Sequence, residues 1–358
     1  MKTGIIGLPQ VGKTSLFRIL TKAHLSEQAY SNPREAHIGV AKVPDDRLDR
    51  LAALYNPKKL THTSVEYVDV GAIGQEALKD TAYSAHLRQV DALAHVVRAF
   101  DDPAVPHVGA LDPLRDIRNV EFDLMVSDLG QIEKRLERLE KDLKKMKTAE
   151  LEREFDLLKR TKAHLESELP LREMEITADD EKRIRGFMFL SQKPILYVLN
   201  IGEAGAARLH EIEEQYRTGP LKGRAHTDVM AVCGKIEAEL AELAPDEARE
   251  YLASYGLKES GLERMINASY RLLGLMSFLT AGETEVRAWT IPIASTAVKA
   301  AGAIHSDFEK KFIRAEVVNW KSLVDLGGYP GVREKGLLRL EGKEYVVKDG
   351  DVLVIRHG

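Results

Sequence analysis

An α/β protein built on a parallel sheet, broken by an antiparallel helical hairpin and followed by a small α+β module, is what this 358-residue sequence predicts. Three observations carry that expectation. Short apolar runs separated by helix-length segments occur over residues 4–97 and again over 194–232, the pattern of a parallel sheet with helices on both faces. A leucine repeat with 3-4 spacing interrupts that pattern between about residues 120 and 190. Alternating, strand-like segments punctuated by Gly and Asp begin at about residue 280. Two or three domains are expected at this length, because single cores stop growing near ~250–300 residues.

The first run, Gly4-Ile5-Ile6-Gly7-Leu8, reads as a buried strand. It leads into Gly7-Leu8-Pro9-Gln10-Val11-Gly12-Lys13-Thr14, a complete G-x-x-x-x-G-K-[ST] loop, and Ser15-Leu16-Phe17-Arg18-Ile19-Leu20 opens a helix. Glycines let successive backbone N–H groups close round a phosphate, and the helix N-terminus adds partial positive charge. Gln10, Val11, Gly12, Lys13, Thr14 and Ser15 are therefore the expected phosphate cradle, with Lys13 reaching the β- and γ-phosphates and the Thr14 hydroxyl on Mg²⁺. A nucleoside triphosphate is the expected ligand.

Four further strands follow from Val65-Glu66-Tyr67-Val68-Asp69-Val70, Ala92-Leu93-Ala94-His95-Val96-Val97, Pro194-Ile195-Leu196-Tyr197-Val198-Leu199-Asn200 and Val229-Met230-Ala231-Val232. Ligands of such sheets bind at the carboxyl ends of the strands. Asp69, Asn200 and Cys233 fall there, and Asp69 is the expected carboxylate that holds Mg²⁺ through water.

In the interruption, Leu129, Ile132, Leu136, Leu139, Leu143 and Met146 recur at 3-4 spacing. Leu151, Phe155, Leu158, Lys162, Leu165 and Leu169 nearly repeat it, with Lys162 the polar break. Joined by Lys147-Thr148-Ala149-Glu150, the two stretches predict an antiparallel hairpin. Periodicity favours neither a plain spacer arm nor a docking arm for a large partner. In the last module Glu285–Ile291, Phe312–Val317 and Tyr345-Val346-Val347 read as strands, and Asp349-Gly350-Asp351 as a turn into a final strand Val352–Ile355.

At 44% hydrophobic, 30% charged and a net charge of −4, the chain has no global attraction to nucleic acid or anionic membranes. RNA contact would have to come from a local patch, for which Arg333, Lys335, Arg339 and Lys343 are candidates beside the plainer reading of isolated surface charges. A lone cysteine, Cys233, excludes an internal disulfide and a multi-cysteine metal site, in keeping with a reducing cytoplasm. Met1-Lys2-Thr3 runs straight into the first strand, leaving no room for a signal peptide, and no apolar run approaches the ~18–20 residues that span a bilayer. A cytoplasmic chain without membrane contact is expected.

Several segments in this order resemble the YchF-type members of the Obg-like P-loop GTPases across almost the whole length. They are Gly-Leu-Pro-x-Val-Gly-Lys-Thr at 7–14, Val-Pro-Asp-Asp-Arg-Leu-Asp at 43–49, Asp112-Pro113-Leu114-Arg115-Asp116, and Lys235-Ile236-Glu237-Ala238-Glu239-Leu240. Arg287-Ala288-Trp289-Thr290, His305-Ser306-Asp307-Phe308-Glu309-Lys310 and Phe312-Ile313-Arg314-Ala315-Glu316-Val317 complete the set. The resemblance implies a nucleotide domain in two parts, 1–128 and 191–279, split by a coiled-coil insertion at 129–190 and followed by a TGS-like β-grasp domain at 280–358. It also implies ATP hydrolysis and association with the ribosome, with RNA contact through the TGS-like domain.

GTPases read guanine with Asn-Lys-x-Asp, whose aspartate accepts two hydrogen bonds from the base. Here the corresponding segment is Asn200-Ile201-Gly202-Glu203, in which Glu203 is a methylene too long and Ile201 replaces lysine. YchF-like proteins share this feature, which implies ATP in preference to GTP, with Asn200 on the adenine edge and Ile201 packed near the ring. Cys233-Gly234-Lys235 stands where Ser-Ala-Lys is usual and brings backbone N–H groups toward the base.

The switch segments depart from the family. Tyr30-Ser31-Asn32-Pro33-Arg34-Glu35-Ala36-His37 lacks the usual threonine over Mg²⁺, and the usual Asp-x-x-Gly is Asp69-Val70-Gly71-Ala72. Ile73 stands where Ras-like enzymes carry the glutamine that orients water. Family resemblance makes His107 the candidate for that task, against a plain loop histidine, with Gln75 a weaker substitute. Three functions compete on this reading: a slow, ribosome-stimulated, translation-linked ATPase with Lys13 and His107 in catalytic roles, a nucleotide-binding pseudoenzyme acting as scaffold or sensor, and a conventional GTPase, which Glu203 and Ile201 oppose.

Overall fold

The computed structural model describes residues 1–22, 36–106 and 109–358. These divide into two compact units, Met1–Ala41 with Glu66–Leu272, and Lys42–Val65 with Leu273–Gly358. The strands, in chain order, are β1 (Lys2–Ile6), β2 (His37–Lys42), β3 (Lys59–Thr61), β4 (Ser64–Asp69), β5 (Ala92–Ala99), β6 (Ile195–Ile201), β7 (Thr227–Val232), β8 (Leu275–Ala281), β9 (Glu285–Pro292), β10 (Phe312–Asn319), β11 (Arg339–Glu341) and β12 (Asp351–His357).

The first unit is built on a six-stranded sheet in the order β2-β4-β1-β5-β6-β7. The pairings from β4 through β1, β5 and β6 to β7 are parallel. Every residue of β6 is buried, as a strand covered on both faces must be, which is why it reads as an unbroken apolar run. The chain steps from β1 outward to β4 on one side and then to β5 on the other. That change of direction opens a crevice at the carboxyl end of β1, where the Lys-Thr loop sits.

The hairpin helices are Pro113–Lys145 and Ala149–Glu166. The first starts well before the leucine repeat: Asp112 caps it by accepting from the Arg115 N–H at 3.0 Å, and Pro113 fits its first turn. Its opening turns place Ile117, Val120 and Leu124 in the core of the sheet. Farther out Ile132 and Leu139 pack with Leu157, Leu158 and Leu165. Met146 and Leu169, expected in the seam, lie beyond the helix ends, 63% and 43% exposed. Lys162 reaches across the hairpin to Glu133 at 2.9 Å, and Arg135 grips both oxygens of Glu154 at 2.7 and 2.8 Å.

At the base of the hairpin, Asp128 is fully buried. Its carboxylate accepts from Arg88 Nη1 (2.8 Å), the Leu190 and Ser191 backbone N–H groups (2.9 and 2.7 Å) and the Ser191 hydroxyl (2.8 Å). One side chain thereby ties the first hairpin helix to the segment that enters β6.

The second unit is a six-stranded mixed sheet in the order β11-β10-β12-β8-β9-β3. One face packs Phe278-side residues Met276, Ile291, Phe312 and Leu353 against Ala297, Ala300 and Ala301 of the helix Ala297–Ile304. The other face carries Leu279, Val286, Val318 and Val352 and is covered by Leu48 and Leu51 of the helix Asp46–Tyr55. Residues 42–65, read from sequence as part of the nucleotide domain, thus supply this unit with a covering helix and with β3, which pairs in parallel with β9 from Lys59↔Glu285 to Thr61↔Arg287. A sheet with two apolar faces needs cover on both. Arg47 fastens the segment through Asp45 and, at 2.9 Å, Asp349. Tyr345-Val346-Val347 is not a strand; Val346 makes one isolated bridge to Thr296. All four basic residues of the candidate patch are exposed, but Arg333 lies 3.7 Å from Glu316 and Arg339 3.3 Å from Glu341.

Candidate nucleotide site

The loop between β1 and the helix Lys13–Thr21 is shaped by two glycines. Gly7 has φ 150°, and a Cβ there would meet the Val96 carbonyl oxygen at 2.4 Å. Gly12 has φ 97°, and a Cβ there would meet Asn200 Nδ2 at 2.5 Å. Neither position tolerates a side chain. Gln10 adopts the left-handed region with φ 59°, so the loop curls over residues 10–12 in the manner of a backbone anion nest. Val11 is buried, while Gln10 and Ser15 are exposed.

Lys13 is 6% exposed and its Nζ donates to the Leu8 carbonyl oxygen at 2.6 Å, so the side chain folds back over its own loop. Burial lowers its pKa to about 8, against the opposing pull of Asp69. The charged form that attracts phosphate therefore prevails below pH 8. Raising the pH from 7 to 9 is expected to weaken triphosphate affinity roughly tenfold, because binding must then first recover a proton. A flat titration of affinity from pH 7 to 9 would show that Lys13 does not govern binding.

Asp69, at the end of β4, is buried, and its Oδ2 accepts from the Thr14 hydroxyl at 3.0 Å. Its Oδ1 accepts from the Gly71 N–H at 3.1 Å. The Ile73 N–H donates to the Gly7 carbonyl at 3.1 Å, which ties the segment after β4 to the phosphate loop. One hydroxyl and one carboxylate facing each other are hard oxygen donors suited to Mg²⁺, which keeps several waters and takes further oxygens from phosphate. Among the described residues no cluster of three or more His, Cys, Asp or Glu forms a protein-only metal cage.

At Ala72 the backbone is unstrained, since the positive φ of 80° falls on Gly71 instead. Replacement of the usual glycine therefore brings no distortion. Ile73 is buried in the core, and Gln75 is exposed, near Asp123 of the first hairpin helix. His107 and Ser31 lie outside the described residues.

Asn200 is held between two loops of the site. Its side chain is 6% exposed, with Nδ2 donating to the Val11 carbonyl at 2.9 Å and Oδ1 accepting from the Gly234 N–H at 3.0 Å. It joins the phosphate loop to the loop after β7, which leaves the second N–H and the second oxygen lone pair of the amide for a base. Ile201, the last residue of β6, is buried in the core of the sheet. Glu203 accepts from Lys235 Nζ at 2.6 Å in an exposed ion pair. Cys233 is buried, and desolvation raises its thiol pKa.

Sequence patterning passes over Arg98, a cation in the apolar run of β5. It is 1% exposed and stands directly opposite Asn200 in the β5–β6 register. The signal was present as a lone arginine at the carboxyl end of a buried strand.

A parallel sheet with a Gly-Lys-Thr loop at its switch point, and an aspartate hydrogen-bonded to that threonine, defines a P-loop nucleotide-binding protein. Comparisons with known proteins are more specific. Residues 275–358 match the family model YchF-GTPase_C, described as a protein of unknown function (DUF933). The chain is 43% identical to the Bacillus subtilis (strain 168) protein named Ribosome-binding ATPase YchF, over 99% of each chain. It is 37% identical to the protein of the same name from Escherichia coli O157:H7, over 98% of each chain. The solved structure of the Schizosaccharomyces pombe YchF GTPase superposes with a TM-score of 0.80 at 30% identity, covering 99% of this chain and 97% of that one. The chain belongs to the YchF family. No helix among the described residues is long and apolar enough to cross a membrane.

Proposed function

We propose that this chain is a slow ATPase that works on the ribosome in the cytoplasm as a translation-linked regulator. The observation that carries the chemistry is the 3.0 Å contact of Thr14 with Asp69, beside the buried Lys13. The relatives named Ribosome-binding ATPase YchF support both the reaction and the partner.

In this reading the N–H groups of residues 10–15 and the Lys13 ammonium bind the phosphates. Thr14 and Asp69 hold Mg²⁺, which when bound neutralises charge developing on the β- and γ-phosphates. Lys13 exchanges its bond to the Leu8 carbonyl for a phosphate oxygen and so becomes fully charged. Ile73 offers nothing to the attacking water; His107 is the residue assigned to orient it, with Gln75 the weaker candidate. The ribosome completes that arrangement, in the manner of an external activator.

The base is selected by what is missing. Glu203 is engaged with Lys235, and no lysine follows Asn200, so the bidentate contact to guanine has no carboxylate in place. ATP is expected to bind at least roughly tenfold more tightly than GTP, as lost base-specific hydrogen bonds shift preference by that much or more. Competition calorimetry paired with hydrolysis assays, with and without ribosomes, tests the reading. GTP binding as tightly as ATP would sink the base preference, and absence of ATP turnover on ribosomes would sink the enzymatic assignment.

A further inference from the structure

We infer that Arg98 is a positioning residue that clamps the segment 100–106 to the phosphate loop and thereby sets the rate of hydrolysis. Its guanidinium donates to four main-chain carbonyls. Nη2 reaches Val105 at 2.8 Å, Nε reaches Phe100 at 3.2 Å, and Nη1 reaches Pro106 at 3.3 Å and Gln10 at 3.5 Å. The guanidinium also lies 4.3 Å from the centroid of the Phe100 ring. Among the described residues none of its partners is a carboxylate.

A buried cation matched, among the described residues, by carbonyl dipoles and one aromatic ring is an expensive way to fill space, and an apolar side chain would serve packing at lower cost. What an arginine offers is a rigid planar fork, which fixes several acceptors at once. Here the acceptors come from two stretches that meet at the carboxyl ends of the strands. Three belong to the segment 100–106, and the fourth, the longest contact, belongs to Gln10 of the phosphate loop. Arg98 and Asn200 are partners across β5 and β6, and they face successive carbonyls of that loop, Gln10 and Val11. Asn200 secures the loop itself, while Arg98 makes the 100–106 segment follow it. In sequence the next residue after this segment is His107, so the clamp bears on turnover more than on ground-state affinity.

This inference rests on the ATPase reading for its kinetic part, and the test separates the two. Full-length Arg98→Gln and Arg98→Lys proteins are compared with wild type by amide hydrogen exchange without nucleotide, by ATP affinity, and by single-turnover hydrolysis on ribosomes. Exchange in residues 100–106 is expected to rise at least roughly tenfold in both variants, while protection in β5 and β6 stays unchanged. Hydrolysis by Arg98→Gln is expected to fall roughly tenfold or more with ATP affinity held within about threefold, and Arg98→Lys, which keeps the charge without the fork, is expected to lie between. Should Arg98→Gln fail to fold, Arg98→Lys carries both measurements. Unchanged exchange at 100–106 would overturn the clamp, as would affinity and turnover falling together with protection lost across the sheet. Wild type that does not hydrolyse ATP would refute the ATPase reading and with it the kinetic role, while the exchange measurement still decides whether Arg98 holds the segment.

Discussion

Lys13→Ala is expected to weaken ATP binding by on the order of 2–4 kcal/mol, a factor of roughly 30 to 900. The ammonium is the side-chain cation of the Gly-Lys-Thr loop and lies close enough to Asp69 for the two charges to interact. Its removal takes away a charge-assisted contact to phosphate. The fold should survive, because the residue lost is a buried charge whose desolvation already opposes folding. Its bond to the Leu8 carbonyl is replaced by water entering the loop. Calorimetric titration of a folded variant gives the answer directly. Unchanged affinity would mean that this loop is not the nucleotide site.

Asp128→Ala is expected to cost about 3–5 kcal/mol of stability, the penalty for removing one member of a buried ion pair. The change takes the counter-charge from Arg88, which keeps only the Met188 carbonyl and the Ser127 hydroxyl, and leaves the Leu190 and Ser191 N–H groups without their acceptor. Asp128→Asn keeps an acceptor oxygen and should lose roughly half as much. With ~2–4 °C per kcal/mol for a unit of this size, the alanine variant should melt roughly 6–20 °C lower. Nucleotide affinity at low temperature should be unaffected, since the cluster lies at the hairpin base and not at the phosphate loop. A loss under about 1 kcal/mol would show that the hairpin base is held by its apolar contacts alone.

Both predictions concern single residues, yet only one of them is legible in the chain. Lys13 announces itself because the phosphate loop is a local device: its glycines, lysine and threonine act within eight consecutive positions, and the strand before and helix after are encoded by their own apolar patterns. The same locality made β4, β5, β6 and β7 readable, each within a residue or two. Asp128 carries no such signal. An aspartate on a charged helix reads as solvent-facing, and only the approach of Leu190 and Ser191, more than sixty positions on, turns it into a buried acceptor.

Neighbouring residues alone encode the parallel sheet, the phosphate loop with Asp69, and most of the leucine seam of the hairpin, because period and turn chemistry are local properties. Packing of distant segments set the rest. It moved residues 42–65 into the second unit, since β3 finds its partner in β9 some 225 positions away, and three residues of Lys-Leu-Thr hold no periodicity to announce that pairing. It denied Tyr345-Val346-Val347 a ladder. It joined Asn200 to the phosphate loop, buried Ile201 in the core, and surrounded Arg98 with carbonyls. The physical reason is common to all of these. A polar group's role depends on which partners reach it once water is excluded, and those partners are brought together by the packing of distant segments, not by the residues beside it in the chain.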